Sequence, residues 1–254
     1  MHIFICEDSL TGIFTGVYDA WDSRYPHDEN RLITGETWNL ELFAEYRNII
    51  PDEEKAEKVM RTLRKRMGSE SYERICFAAL SNALDKADVI YHTIVRALSM
   101  EREDLVFHDM HHPAVMRVFE LSRAVGREVT HHFEFIRFRE LENGVLFARC
   151  TPKHRVTIPV AEHFADRFPM EHFIIWNATY HEAVVHMAGK GYFLCDSDEL
   201  NEEQITAYSE MELMCEEGWK GYFETMTIEE RKNPALQRQL FPKRYWKDSV
   251  EMGD

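Results

Sequence analysis

The chain has 254 residues, 44% of them hydrophobic and 12% aromatic, which is enough for a packed core and excludes a disordered or low-complexity protein. With 30 basic and 45 acidic side chains, its net charge of -15 repels phosphates over most of the surface, so diffuse nucleic-acid binding is excluded and any such site must be a local basic patch. No apolar run approaches the roughly 18 residues of a membrane span, and five widely spaced cysteines without a CxxC pair fit a reducing cytoplasm and no local zinc or iron–sulfur motif.

In chain order, Ile3 to Cys6 is a short apolar run that predicts a first strand, without the basic flank or length of a signal peptide. Ser9 is a plausible N-cap for a helix whose apolar positions are Leu10, Ile13, Phe14, Val17 and Trp21. A polar turn follows over residues 22 to 30, and the short apolar stretch from Leu40 to Tyr46 fits either strand or helix. From Pro51 the pattern is helical: Asp52, Glu53 and Glu54 lie in a first turn, and Arg61, Arg64, Lys65 and Arg66 in a last one, both complementing the helix dipole. Gly68 stops that helix and Ser69 opens the next. Its apolar register runs on through Leu98, as one long helix or two. Pro113 begins another helix, with Val115, Val118, Phe119, Ser122 and Val125 as its buried stripe.

After Arg127 the period changes. Phe133, Phe135, Arg137 and Arg139 alternate with Glu134, Ile136, Phe138 and Glu140, as in a strand. Asn143-Gly144 signals a type I′ hairpin leading into residues 145 to 150. A helix over residues 159 to 168 and strands over 173 to 176 and 183 to 186 complete a strand–strand–helix–strand–strand unit. Ser197 or Asp198 then caps a long acidic helix reaching about Phe223. From Asp196 to Glu217 there are nine acidic residues and no basic one. These acids form a solvated face, or else a contact for the tail or a partner.

The expected fold is therefore α+β: a helical N-terminal half, packed with an antiparallel sheet, then a long acidic helix and a basic aromatic tail. The domains are residues 1–126, mostly helical, and 127–254, α+β, unless that seam lies within one continuous domain.

The tail reverses the charge of the chain. From Arg231 to Lys247 there are six basic residues and no acidic one, interleaved with Tyr245 and Trp246. Cations there can neutralise phosphates and the rings can stack on bases. The alternative is a strap, with Leu240, Phe241, Tyr245 and Trp246 buried and the charges solvated. Arg137, Arg139, Arg149, Lys153, His154 and Arg155 lie on or beside the hairpin. If Arg137 and Arg139 share a face they form a cationic stripe for phosphates; otherwise they pair with Glu140, Glu142 or Asp166.

The remaining motifs carry less. His108-Asp109-Met110-His111-His112 is the densest set of possible metal ligands, but its spacing is not HExxH. His181-Glu182 with His186 is one residue too long for that motif. The chain shows no nucleophile elbow, Walker loop or dinucleotide fingerprint, so neither metal nor cofactor is expected and a catalytic residue cannot be assigned.

Several stretches together resemble a bacterial family of DNA repair or DNA metabolism proteins. They are Cys6-Glu7-Asp8-Ser9 with its aromatic helix; Arg127-Glu128 through Glu140; Pro152-Lys153-His154 with Ala161 to Phe168; and Arg231-Lys232-Asn233-Pro234 through Arg238-Gln239 to Pro242-Lys243-Arg244-Tyr245-Trp246. The resemblance runs in order over nearly the whole chain. Departures are Cys6-Glu7 in place of tyrosine and an aspartate–glycine edge, Thr130 where members often have histidine, and Phe241 where they often have methionine.

The resemblance implies a protein encoded beside a radical S-adenosylmethionine protein of DNA repair. It also implies a C-terminal domain of unknown function, found elsewhere fused to uracil-DNA glycosylase-like domains. The expectation is a cytoplasmic DNA-repair accessory protein working with that radical protein. Arg137, Arg139, Arg238, Lys243 and Arg244 would hold phosphate, and Tyr245 or Trp246 would stack. His154, His163 and Arg167 are the candidate polar pocket, with no chemistry assigned. The alternatives are a protein-interaction subunit without DNA affinity, and a metal-dependent hydrolase of nucleic acid using the histidine-rich loop.

Overall fold

The computed structural model describes residues 1–35, 41–196 and 205–252, which divide into two units, Met1–Arg127 and Glu128–Asp254. The fold is mixed α+β, with a three-stranded parallel sheet and a five-stranded mixed sheet.

In the first unit β1 (His2–Cys6) lies at the centre of a parallel sheet ordered β2-β1-β3, with β2 at Asn30–Thr34 and β3 at Glu45–Asn48. The Ser9 side chain caps α1 (Leu10–Asp22) by accepting from the Gly12 N–H at 2.9 Å. A Cβ at Gly16 would collide with Cys6 Sγ, so glycine there lets α1 lie close on β1. Asp52 caps α2 (Glu53–Ala79) through the Lys55 N–H at 3.0 Å, and Gly68, at φ 78°, breaks α2 where the sequence reading stops the helix. Helix α3 (Lys86–Leu98) is separate from α2. Phe4, Phe14, Leu32, Ile75, Ile90 and Tyr91 centre the core. The sequence reading found β1 but not β2, whose Leu32 and Ile33 follow the polar turn directly. Of the ambiguous 40–46 stretch, Leu40 lies outside the described residues and the strand begins only at Glu45.

Helix α4 (Pro113–Phe135) corrects the expected strand from Phe133. Its buried positions Leu121, Ser122, Val125, Glu128, Val129 and His132 keep helical spacing, so the apparent alternation of residues 133 to 135 is the end of an amphipathic helix.

The second unit carries β4 (Arg139–Glu140), β5 (Leu146–Cys150), α5 (Thr157–Arg167), β6 (Phe173–Asn177), β7 (Glu182–Met187) and β8 (Gly191–Asp196), in sheet order β4-β5-β6-β7-β8. The sheet is mixed rather than antiparallel. Helix α5 carries the chain back across the sheet, so β6 runs parallel to β5, with Leu146 opposite Phe173 and Arg149 opposite Trp176. The hairpin at Asn143-Gly144 forms, but not as type I′. Only Gly144 has positive φ, and the bonds Gly144 N–H to Leu141 O and Leu141 N–H to Val145 O define a type I turn with a glycine bulge.

The acidic stretch is not one long helix. Ser197 and Asp198 lie outside the described residues; α6 (Glu210–Thr225) starts at its own cap, Ser209, after a bridge between Leu141 and Tyr208. Helix α7 (Pro234–Leu240), capped by Asn233, and a 3-10 turn over Lys243–Asp248 form the tail.

Candidate nucleic-acid interface

Strand alternation sorts the sheet of the second unit into two faces. Ala148, Cys150, Phe173 and Ile175 are buried, and α5 packs against β6, β7 and β8. Phe147, Arg149, Ile174 and Trp176 point the other way, with Arg139 opposite Phe147 on the β4 edge. Leu141, Phe147 and Ile205 form an apolar floor there, with Trp176 and Tyr208 against it.

Above that floor is a cavity of about 270 Å³. Its walls hold five cationic side chains, Arg137, Arg139, Arg149, Lys220 and Lys247, and two carboxylates, Glu216 and Asp248. The guanidinium of Arg139 lies 3.5 Å from the centre of the Tyr208 ring, and that of Arg149 lies 5.4 Å from Trp176, both within cation–π range.

The carboxylates hold the arginines in place. Arg137 Nη2 donates to Glu251 at 2.9 Å, Arg139 pairs with Glu216 of α6, and Arg149 Nη1 donates to Asp248 at 2.6 Å. Thr151 Oγ1 donates to the second Asp248 oxygen at 2.9 Å. These partners come from α6 and the tail, not from Glu140, Glu142 or Asp166. The three arginine side chains stay 35%, 29% and 40% exposed, and each is already paired with a carboxylate. Arg137 and Arg139 do line one cavity.

The tail is held by a second cluster. Glu128, 1% exposed, accepts from the backbone N–H groups of Lys153 at 3.0 Å and His154 at 2.7 Å, and pairs with Arg244 Nη1 at 3.0 Å. Arg244 Nη2 donates to the Tyr245 hydroxyl at 2.6 Å. Tyr245 is buried, its ring 5.3 Å from His132, 5.7 Å from His131 and 5.2 Å from Phe135. Burial pushes its phenol up to about 12. Burial also holds the imidazole of His132 below the usual histidine range, and the Arg244 charge acts in the same direction; its Nδ1 donates to the Glu128 carbonyl at 2.8 Å.

The sequence-predicted residues therefore divide. Tyr245 is taken out of the stacking role by its packing, and Arg244 is engaged with Glu128. Trp246 is half-buried, its Nε1 donating to the Phe241 carbonyl at 2.9 Å, with Lys243 Nζ 5.6 Å from its ring. Arg238 is exposed on α7. The strap reading of the tail holds for Tyr245, whereas Leu240 stays 66% exposed. It is Lys247 that the tail brings into the cavity.

The candidate polar pocket has separate neighbours. His154 is buried at Glu128, His163 stacks on Phe133 at 3.9 Å, and Arg167 is exposed beside Phe168. The sequence reading missed Trp176, Tyr208 and Lys220, which meet the hairpin only once β5 and β6 are paired and α6 is docked. Among the described residues no three His, Cys, Asp or Glu side chains converge as metal ligands, and Asp109 of the histidine-rich loop is bound to Arg96 at 2.7 Å. Among them no helix is long and apolar enough to cross a membrane.

An α+β chain with a basic, aromatic-walled cavity on the face of its mixed sheet opposite α5 is the class that these observations define. Residues 84–251 match DUF4130, described as a domain of unknown function, and the chain belongs to that family. The match covers α3 and α4 of the helical part and the whole of the cavity lining. No curated protein matches the chain.

Proposed function

We propose that this protein binds nucleic acid through the cavity on the sheet face opposite α5, and that it acts as an accessory in DNA repair or DNA metabolism. One observation carries the reading: on a chain of net charge -15, five cations against two carboxylates line one small cavity walled by Trp176 and Tyr208. That combination serves a phosphate backbone and an unstacked base together. A concave site of this size accepts one splayed nucleotide, which favours single-stranded over duplex substrate. The resemblance to DNA-repair proteins supplies the setting, and with it the radical S-adenosylmethionine partner that would carry the redox chemistry. A cytoplasmic location belongs to the same proposal.

Lys220 and Lys247 are exposed and line the cavity without holding the arginines, so they test the reading without disturbing the fold. In the Lys220→Ala/Lys247→Ala variant, affinity for labelled single-stranded DNA is expected to fall and its salt slope to flatten by about 1.4, at roughly 0.7 per phosphate contact. Unchanged affinity and slope would remove the cavity from nucleic-acid binding.

A further inference from the structure

Helix α6 has no buried residue, although its sequence is rich in large apolar side chains. Glu212 and Glu216 mark the face it turns to its own domain: Glu212 accepts from the Glu140 N–H at 3.1 Å and Glu216 pairs with Arg139. Turned away from that face is a stripe of Met211, Met214, Gly218 and Tyr222, in which Met211, Met214 and Tyr222 are 60%, 64% and 55% exposed. Met211, Met214 and Gly218 keep the 3–4 spacing of a helix–helix seam, with Tyr222 at its edge. Gly218 and Gly221 have open space beyond their Cα atoms among the described residues, leaving a notch where a second backbone can approach.

The acids beside the stripe have a period of their own. Glu210, Glu217 and Glu224 recur every seven residues along its edge and are all exposed. In a heptad with Met211 and Gly218 at a, and Met214 and Gly221 at d, these glutamates occupy g, where charge selects the partner helix. A second copy of α6 is a poor match. Packed antiparallel it would bring the glutamates together; packed parallel it would set them against Cys215 and Tyr222. Near the C-terminal end of α6, apart from the stripe, lies a cavity of about 670 Å³ lined by Phe223, Met226, Ile228, Leu236 and Leu240. So broad an exposed apolar surface is uncommon on a protein without partners.

We propose that α6 is a docking helix for an amphipathic helix of another protein, one whose apolar stripe is flanked by lysine or arginine. Charge complementarity to the Glu210–Glu217–Glu224 edge defines that partner. The proposal is independent of the nucleic-acid reading, since its residues do not line the basic cavity.

The test uses three labelled synthetic peptides: a three-heptad helix with leucine at a and d and lysine at e and g, the same helix with glutamate at e and g, and a scrambled lysine peptide of identical charge. Anisotropy titration of the full chain is expected to show the ordered lysine helix binding at least tenfold more tightly than either control. The Glu217→Lys/Glu224→Lys variant, with its helicity checked by circular dichroism, is expected to shift that preference at least tenfold toward the glutamate helix. Equal binding of the scrambled lysine peptide would reduce the effect to net charge and overturn the proposal. So would an unshifted preference in the variant, or sedimentation showing self-association that the lysine helix displaces.

Discussion

Replacing Glu128 by alanine removes the carboxylate on which the tail of the second unit is anchored. That carboxylate is 1% exposed and accepts two backbone N–H groups as well as the Arg244 guanidinium. The three contacts are not of equal weight. His154 is buried, so its N–H loses its partner without access to water, at about 1–3 kcal/mol. Lys153 is exposed and its N–H rehydrates. The Arg244 side chain is 44% exposed, so its ion pair, screened by solvent, contributes at most about 1 kcal/mol. Glu128→Ala should therefore cost about 3 kcal/mol and Arg244→Ala about 1 kcal/mol or less. At roughly 4 °C per kcal/mol for a unit of this size, the melting temperatures should fall by about 12 °C and by about 4 °C or less. Thermal denaturation followed by tryptophan emission reads this, since three of the five tryptophans, Trp176, Trp219 and Trp246, lie in the second unit. The reasoning fails if Arg244→Ala costs as much as Glu128→Ala, because the anchor would then be the ion pair and not the backbone cradle.

Two further predictions concern individual groups. Trp176→Ala should weaken single-stranded DNA binding by about 1–3 kcal/mol, the value of one stacked base, while leaving the salt slope unchanged; a changed slope with unchanged affinity at low salt would contradict a stacking role. The His132 imidazole, held low by burial, takes up its proton in the unfolded chain before it does so in the folded one. Its stabilisation is therefore complete above the unfolded value of about 6.5 and declines as pH falls below it toward the lower folded value. Denaturation curves between pH 7.5 and 5 should show a shallower acid loss for His132→Gln than for the wild type, and identical slopes would refute this.

Local chemistry was legible in the sequence and convergence was not. The Ser9 cap, the Gly68 break and the strands around Ile175 and Val184 follow from residues within a few positions of one another. The strand expected at Phe133 failed because the alternation of Phe133, Glu134 and Phe135 is also the end of an amphipathic helix, which burial of Val125, Val129 and His132 carries through. The mixed sheet was missed because strand direction is set by the α5 crossover rather than by side-chain pattern. Of the site, the hairpin arginines were visible as a local cluster. Trp176 gained meaning only by standing opposite Arg149 in a parallel register, and Lys220 only by lying one helical turn beyond Glu216. The tail was read correctly as basic and aromatic, but the assignment of roles within it needed the position of Glu128.

The most direct test of the nucleic-acid reading is the affinity of the wild-type chain for a labelled single-stranded oligonucleotide measured across salt concentrations, with a duplex of the same sequence beside it. Phosphate contacts from three to five cations predict salt-sensitive binding with a log–log slope of about -2 to -3.5 and a preference for the single strand. No binding at low salt, or equal salt-independent affinity for both forms, would contradict the account.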